Sequence, residues 1–409
     1  MREDVSLKEQ QPHTKVYGFI CGVFTNRMTK ALRQNLEGFF ILEGVRWLDD
    51  QYMRMALNLA KKGKGWTSPN PLVGAVIVKN GKVIGQGYHQ KYGQAHAEVN
   101  AIESAKEDVA GATLYVTLEP CFHFGKTPPC SNLLVDKKIK RVVVGTLDPN
   151  PLVARKGIEK LRSNGVEVVT GVLEEECQKL NEIFMKFIVT KEPFVVMKNA
   201  MSLDGKTATV TDESQWISGE TSRRQVHSLR HELSGIMVGV ETVIKDNPRL
   251  TSRITNSRNP IRIVVDSQLR IPSTSKVLTQ QDEAKTIVAT TRRARKEKID
   301  MLKQMGIEVI VTKEKHGRVH LRELMNILGA RGIDSILLEG GATLNFSALE
   351  EGIVDKIQFY IAPKIIGGKE AKTAVEGAGI HSLKNVFQIE RMTAVMVGED
   401  LFVEGYIAK

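Results

Sequence analysis

Residues 112–146, ATLYVTLEPCFHFGKTPPCSNLLVDKKIKRVVVGT, decide the fold. Thr113 to Leu118 is an apolar, β-rich run of strand length, and Arg141 to Gly145 is a second. Between them the pattern predicts a helix near Cys130 to Lys137. A strand, a helix and a strand in succession imply a largely parallel sheet with helices on both faces, because a crossover must return over the sheet surface.

The same alternation extends outward. Upstream, Met53, Ala56, Leu57 and Ala60 recur at helical spacing from Asp50 to Lys61, and the pattern stops at Gly63 and Gly65. Leu72 to Val78 and Lys82 to Gly87 flank Asn80-Gly81, a tight-turn pair, and predict a hairpin. Helices follow over Ala97 to Glu107 and Ala154 to Ser163, then a strand over Val166 to Thr170. A long helix from Leu173 to Val189 leads to Glu192-Pro193, which marks a domain boundary.

Beyond it the strands Phe194 to Asn199, Gly235 to Val240, Ile261 to Val265, Thr286 to Ala289, Val309 to Thr312 and Ile336 to Glu339 again alternate with other elements. Lys356 to Ile361, Thr393 to Val397 and Asp400 to Tyr406 arrive with few helices between them, so a mixed sheet with antiparallel last strands is expected. The fold class is α/β in both halves. The expected division is a peripheral extension over 1–47, a first domain over 48–191 and a second over 192–409.

A chain of 409 residues is long enough for two cores. No apolar run reaches the ~20 residues of a membrane span, so no membrane association is expected. Four cysteines, at 21, 121, 130 and 177, are too few and too unevenly spaced for a disulfide framework, which points to a reducing, cytoplasmic setting. The net charge of +11 comes from scattered basic residues without interleaved aromatics, and suits small anionic substrates better than nucleic acid.

Three residues suit zinc: His96, followed by Ala97-Glu98; Cys121, after Pro120; and Cys130, after Pro129. Imidazole and thiolate are zinc donors, and three protein ligands leave a fourth tetrahedral position for water, the mark of a catalytic site. Each is expected where a strand ends and a helix begins, where backbone N–H groups favour thiolate. Glu98 is close enough to shuttle a proton without ligating. The order H-x-E, then P-C and a second cysteine, is that of zinc deaminases. Here the stretch Phe122 to Pro129 separates the cysteines and carries His123 and Lys126, a loop placed to meet a substrate. Cys21 and Cys177 read as structural.

In the second half the clearest local chemistry is Glu339-Gly340-Gly341-Ala342-Thr343-Leu344, after the apolar strand Ile336 to Leu338. The glycines allow close backbone approach, and the helix that follows offers N–H donors to a phosphate. No Gly-x-Gly-x-x-Gly follows an early strand, which argues against a Rossmann fold.

The segments Pro69 to Ala75, Gly87-Tyr88-His89, His96 to Val99 and Pro120 to Cys130 closely resemble the bifunctional riboflavin deaminase-reductase family of bacteria. In the second half Phe194 to Gly205, Trp216-Ile217-Ser218, Asp246 to Arg253, Arg262 to Asp266 and Glu339-Gly340-Gly341 resemble its reductase domain. The resemblance runs from about Asp50 to the C-terminus and leaves the first 46 residues unmatched. It implies a three-layer α/β/α cytidine-deaminase-like domain followed by a dihydrofolate-reductase-like one. It implies one zinc per deaminase domain on His96, Cys121 and Cys130, with Glu98 as proton shuttle, and NADPH in the reductase. Cofactor contacts are implied at Ala200, Trp216, Thr242, Asp246, Ser267 and the Gly341, Ala342, Thr343, Leu344, Asn345, Phe346, Ser347 turn. Substrate contacts are implied at Asn70, His123 and Lys126 in the first half and at Ser214, Arg230, Leu250, Arg253 and Glu339 in the second. Lys198 and Asp246 are candidates to handle protons or hold the opened sugar, Arg230 and Arg253 to pair with a phosphate. The substrate implied is a phosphorylated pyrimidine, the assembly a homo-oligomer.

Two alternatives stay open at this level. A deaminase of a base in nucleic acid would suit the positive charge, and a structural zinc scaffold would need a fourth ligand, for which only His89 or His123 is at hand.

Overall fold

The computed structural model describes residues 46–122, 129–150 and 154–408. Strands β1 (Gly74–Lys79), β2 (Lys82–Tyr88), β3 (Thr113–Leu118), β4 (Arg141–Thr146) and β5 (Glu167–Thr170) form one sheet in the order β2-β1-β3-β4-β5. β1 is antiparallel to both β2 and β3, and β3, β4 and β5 are parallel. At the hairpin tip Asn80 and Gly81 both take positive φ, 50° and 74°, the conformation a two-residue turn of matching twist requires.

Side-chain alternation sorts the layers. Ala75, Ile77, Leu114, Val116, Val142 and Val144 meet Ala97, Ala101, Leu134 and Leu161 from helices Ala97–Glu103, Cys130–Asp136 and Lys156–Ser163. Val76, Val78, Tyr115 and Val143 meet Met53, Ala56, Leu57 and Cys177 from the helix over 46–60 and from Glu174–Leu180. The result is the expected three-layer sandwich.

Two helices end earlier than periodicity predicts. The segment read as one helix from Leu173 to Val189 divides at Asn181 into Glu174–Leu180 and Glu182–Thr190. The buried Asn181 side chain accepts from Leu72 N (2.8 Å) and donates to Leu72 O (2.9 Å), a tertiary demand that hydrophobic spacing does not register. The helix from Ala97 stops at Glu103 because the Ser104 hydroxyl accepts from Gln86 N (2.8 Å) and donates to Gln86 O (2.7 Å).

The second sheet comprises β6 (Phe194–Ser202), β7 (Gly235–Gly239), β8 (Ile261–Val265), β9 (Thr286–Thr291), β10 (Glu308–Thr312), β13 (Ser335–Leu338), β14 (Lys356–Ala362), β15 (Ile389–Val397) and β16 (Asp400–Ile407). A small hairpin, β11 (Glu314–Lys315) and β12 (Arg318–Val319), stands apart. The order is β10-β9-β8-β7-β13-β6-β14-β16-β15. Pairing is parallel from β10 to β14 and antiparallel through β16 and β15, as the strand spacing predicted. Alternate residues again divide between two apolar layers, Val195, Met237, Ile263 and Ile336 in one and Val196, Ile236, Val264 and Leu337 in the other.

The first domain docks on the amino ends of the central strands of the second. Lys64 pairs with Glu232 at 2.8 Å, Glu182 with Lys356 at 2.8 Å and Lys186 with Asp355 at 2.6 Å. Between the domains lies a cavity of about 600 Å³ lined by Leu57, Asn58, Val196, Ser335, Lys356 and Gln358. No helix among the described residues is long and apolar enough to cross a membrane.

Candidate active sites

His96 caps the start of helix Ala97–Glu103, and Cys130 is the first residue of helix Cys130–Asp136. The expectation that all three donors stand at strand-to-helix junctions holds in part. Cys121 lies in the loop that leaves β3, and His96 follows a loop after β2. What brings the first helix down onto the sheet is Gly87, where a Cβ would lie 2.3 Å from Ala101 N.

His96 turns Nδ1 toward both sulfurs, 3.3 Å from Cys130 Sγ and 3.5 Å from Cys121 Sγ. Tetrahedral zinc with its ordinary bond lengths requires about 3.5 Å between nitrogen and sulfur donors. The donor set therefore fits zinc in geometry and in chemistry, all three donor atoms lying within 4.8 Å of one another. The Cys121 thiol is held well below its ordinary range, chiefly by a hydrogen bond from Cys130 and further by His96, and its sulfur also accepts from Cys130 N at 3.2 Å. Thiolate is the form that binds metal.

Glu98, 3% exposed, sits on the first turn of the same helix beside this group. Burial, reinforced by the charge of Cys121, pushes its carboxyl up to about 7. A cavity of about 360 Å³ opens over these residues, lined also by Asn70, His89, Asp148, Phe184 and Ile188. Asn70 Nδ2 stands 3.2 Å from His89 Nε2, and His89 Nδ1 lies 3.0 Å from Ala95 O. Both ring nitrogens of His89 are thus engaged, and the metal-capable group among the described residues has three members. His123 and Lys126 lie outside the described residues. Phe184 and Ile188 escaped the sequence reading because an apolar pair on a helix carries no signal of which cavity it closes.

In the second domain the cofactor candidates gather at the carboxyl ends of adjacent parallel strands, where open α/β sheets bind ligands. Ala200 is near the end of β6, Thr242 follows β7, Ser267 follows β8, and Gly341 follows β13. A Cβ on Gly341 would lie 3.6 Å from Thr242 Oγ1. Gly341 caps helix Ala342–Glu350, whose first N–H groups are free to meet a phosphate. Trp216 is 59% exposed, with the Arg223 guanidinium 4.6 Å from its ring and its carbonyl accepting from Lys364 Nζ at 2.8 Å. An aromatic platform, a cation and a glycine turn at a helix start suit a dinucleotide. Within that turn Asn345 and Phe346 point inward, Asn345 Nδ2 donating to Ala374 O at 2.8 Å and Phe346 packing on Phe387. Ser267 Oγ accepts from Val319 N at 3.2 Å, and Asp246 closes helix Val240–Asp246 in an exposed position.

The substrate candidates converge around a forked ion pair. Arg230 donates from Nε to Glu339 Oε1 (3.1 Å) and from a terminal nitrogen to Oε2 (2.8 Å), and it also reaches Thr251 O (3.3 Å). Burial opposes ionisation of Glu339, but Arg230 and then Lys198 overcome it and hold the carboxyl at about 2. Arg230 was expected to take a phosphate. Its fork is already engaged, which leaves Arg253, exposed in the same loop as the buried Leu250, as the available cation. Burial lowers the Lys198 amine, with Arg230 adding to it against Glu339. Ser214 lies half-buried in the segment leading to Trp216.

A zinc-fitting donor set over a buried glutamate, joined to a parallel sheet with a dinucleotide crevice, defines a zinc-dependent deaminase fused to a reductase. Residues 47–146 match the cytidine and deoxycytidylate deaminase zinc-binding region, and residues 193–402 match the RibD C-terminal domain. The riboflavin biosynthesis protein RibD of Actinobacillus pleuropneumoniae is 52% identical over 87% of this chain and 94% of its own length. That of Aquifex aeolicus is 46% identical over 88% and 98%. The solved structure of Acinetobacter baumannii RibD superposes with a TM-score of 0.79 at 36% identity, covering 89% of this chain and 100% of that one. The diaminohydroxyphosphoribosylaminopyrimidine deaminase/5-amino-6-(5-phosphoribosylamino)uracil reductase of Thermotoga maritima does so at 0.78 and 37%, covering 89% and 99%. The chain belongs to the RibD family of riboflavin biosynthesis, and carries a zinc deaminase and an NADPH-dependent reductase in one polypeptide.

Proposed function

We propose that the chain deaminates 2,5-diamino-6-ribosylamino-4(3H)-pyrimidinone 5′-phosphate and then reduces the product's ribosyl chain to the ribityl form. The observation that carries the first step is the three-donor group of His96, Cys121 and Cys130 with buried Glu98 beside it in one cavity. These three residues would hold zinc, which when bound supplies a hydroxide nucleophile near neutral pH. Glu98 is placed to take a proton from the nucleophile and return it to the departing amine. Asn70, steadied by His89, would orient the ring, and His123 and Lys126 would meet its edge or the phosphate.

For the second step Ala200, Trp216, Thr242, Asp246, Ser267 and the Gly341 to Ser347 turn would hold NADPH, which supplies the hydride. Ser214, Leu250 and Arg253 would position the sugar phosphate, and the Arg230–Glu339 pair would fix the floor beside Lys198. Lys198 and Asp246 are the candidates to handle protons or hold the opened sugar. Unchanged turnover in Lys198→Ala and Asp246→Ala variants would remove those two roles.

The reading includes a domain division at 48–191 and 192–409, a cytoplasmic setting and a homo-oligomer. Strand β15 supports assembly with a second copy: it edges the large sheet with all but its last residue exposed, Met392 and Met396 each 64%. Long apolar edges are covered in soluble proteins, and an antiparallel edge pairs with its own two-fold copy. The test of the whole reading is a coupled assay: ammonia release on the pyrimidine substrate, then NADPH oxidation. Neither activity in zinc-loaded protein, or salt-sensitive RNA binding instead, would refute it.

A further inference from the structure

The deaminase cavity is lined by residues of the first domain, but two stretches of its wall are anchored on the second. Its Asn70 wall belongs to the segment from Thr67 to Leu72, in which Asn70 N donates to Thr67 O at 2.8 Å. Ser68, two residues before Asn70, reaches across the domain boundary. Its hydroxyl donates to Asp334 Oδ2 at 2.6 Å and lies 2.7 Å from Ser234 Oγ, which itself donates to Asp334 Oδ1 at 2.6 Å. Asp334 is 3% exposed. It stands just before β13, and Ser234 just before β7, so both anchors are at the amino ends of reductase strands.

The other end of the segment is held as firmly. Asn181 clamps both polar groups of Leu72, and the helix that starts beside it, Glu182–Thr190, carries Phe184 and Ile188 into the deaminase cavity. That helix is tied to the reductase by Glu182 with Lys356 and by Lys186 with Asp355. A buried polar group left without its partner is costly, so these contacts act as fixed points and not as loose surface pairs.

We propose that the reductase half holds the wall of the deaminase pocket in place, with Ser68 a positioning residue that, through Ser234 and Asp334, keeps Asn70 in register for the pyrimidine ring. The proposal rests on the reading that Asn70 contacts the substrate. Ser68 lines the cavity between the domains but touches neither zinc donors nor the deaminase cavity. Its effect is on where a neighbour sits, and displacements of about 1 Å in positioning groups cost up to about 100-fold in rate.

The test uses the full chain loaded with zinc. Ser68→Ala should raise the deaminase KM about tenfold while kcat changes little, a shift of uniform binding. NADPH oxidation on pre-deaminated substrate and zinc per chain should stay at wild-type values. Ser68→Thr, which keeps the hydroxyl, should restore the KM. Ser234→Ala should reproduce the effect from the reductase side, and the double variant should add nothing further, since both remove one network. Asn70→Ala, run alongside, separates the two levels. If it raises KM while Ser68→Ala does not, the positioning role is overturned and the substrate reading stands. If both leave KM unchanged, the reading falls with it. Parallel loss of both activities in Ser68→Ala would mean a general effect on folding and would also overturn the proposal.

Discussion

Glu98 separates two jobs that the metal donors combine, since it borders the zinc group without belonging to it. Glu98→Gln keeps the shape and removes the proton carrier. Ammonia release should fall by about 10² to 10⁴, the range for a lost general acid–base group, while zinc content and reduction of pre-deaminated substrate persist. Glu339 makes the contrasting case. Its carboxyl titrates at about 2 in the fold, below the ordinary value of about 4.3. Its ionisation therefore stabilises the folded state above the ordinary value, and that contribution fades as pH falls toward 2. Acid unfolding followed by circular dichroism should show a shallower loss in Glu339→Gln, which should also be less stable at neutral pH by about 3 kcal/mol because Arg230 is left buried and unpaired. The zinc donors were legible in the sequence because thiolate and imidazole beside a glutamate have few other uses. The forked pair was not, since its partners stand 109 residues apart and either alone reads as an ordinary charge.

At the scale of elements, alternation carried most of the architecture: every strand of the two large sheets is legible in it, and only the separate β11–β12 hairpin, whose strands are two residues each, is not. What periodicity could not see were the interruptions. Asn181 and Ser104 end helices by bonding backbone of another element, a contact that exists only once the fold does. Gly87 shows how close those contacts are. Gly87→Ala would push a methyl into helix Ala97–Glu103, costing about 1–3 kcal/mol, and should lower zinc per chain because His96 rides on that helix. Metal analysis after dialysis reads the effect. On the edge strand, Met392→Lys with Met396→Lys should convert the proposed homo-oligomer to single chains by light scattering while leaving ammonia release in place.

For the whole molecule, chelation divides the two chemistries. Removing zinc should stop ammonia release yet leave NADPH oxidation on pre-deaminated substrate intact, because no metal-capable group other than His96, Cys121 and Cys130 is found among the described residues. The docking arrangement has a kinetic meaning as well. The deaminase domain sits on the amino ends of the reductase strands, whereas the NADPH candidates gather at the carboxyl ends, and β6 alone runs nine residues between, roughly 30 Å at 3.3 Å per residue. Within one chain this separation leads us to expect that the first product is released between the two steps. NADPH consumption in a one-pot reaction should begin with a lag that shortens as enzyme concentration rises. A mixture of Glu98→Gln chains with a reductase-dead variant should recover the flux of wild type at matched active sites, so that in the cell the pathway's yield depends on how dilute this pool becomes and on what else competes for it.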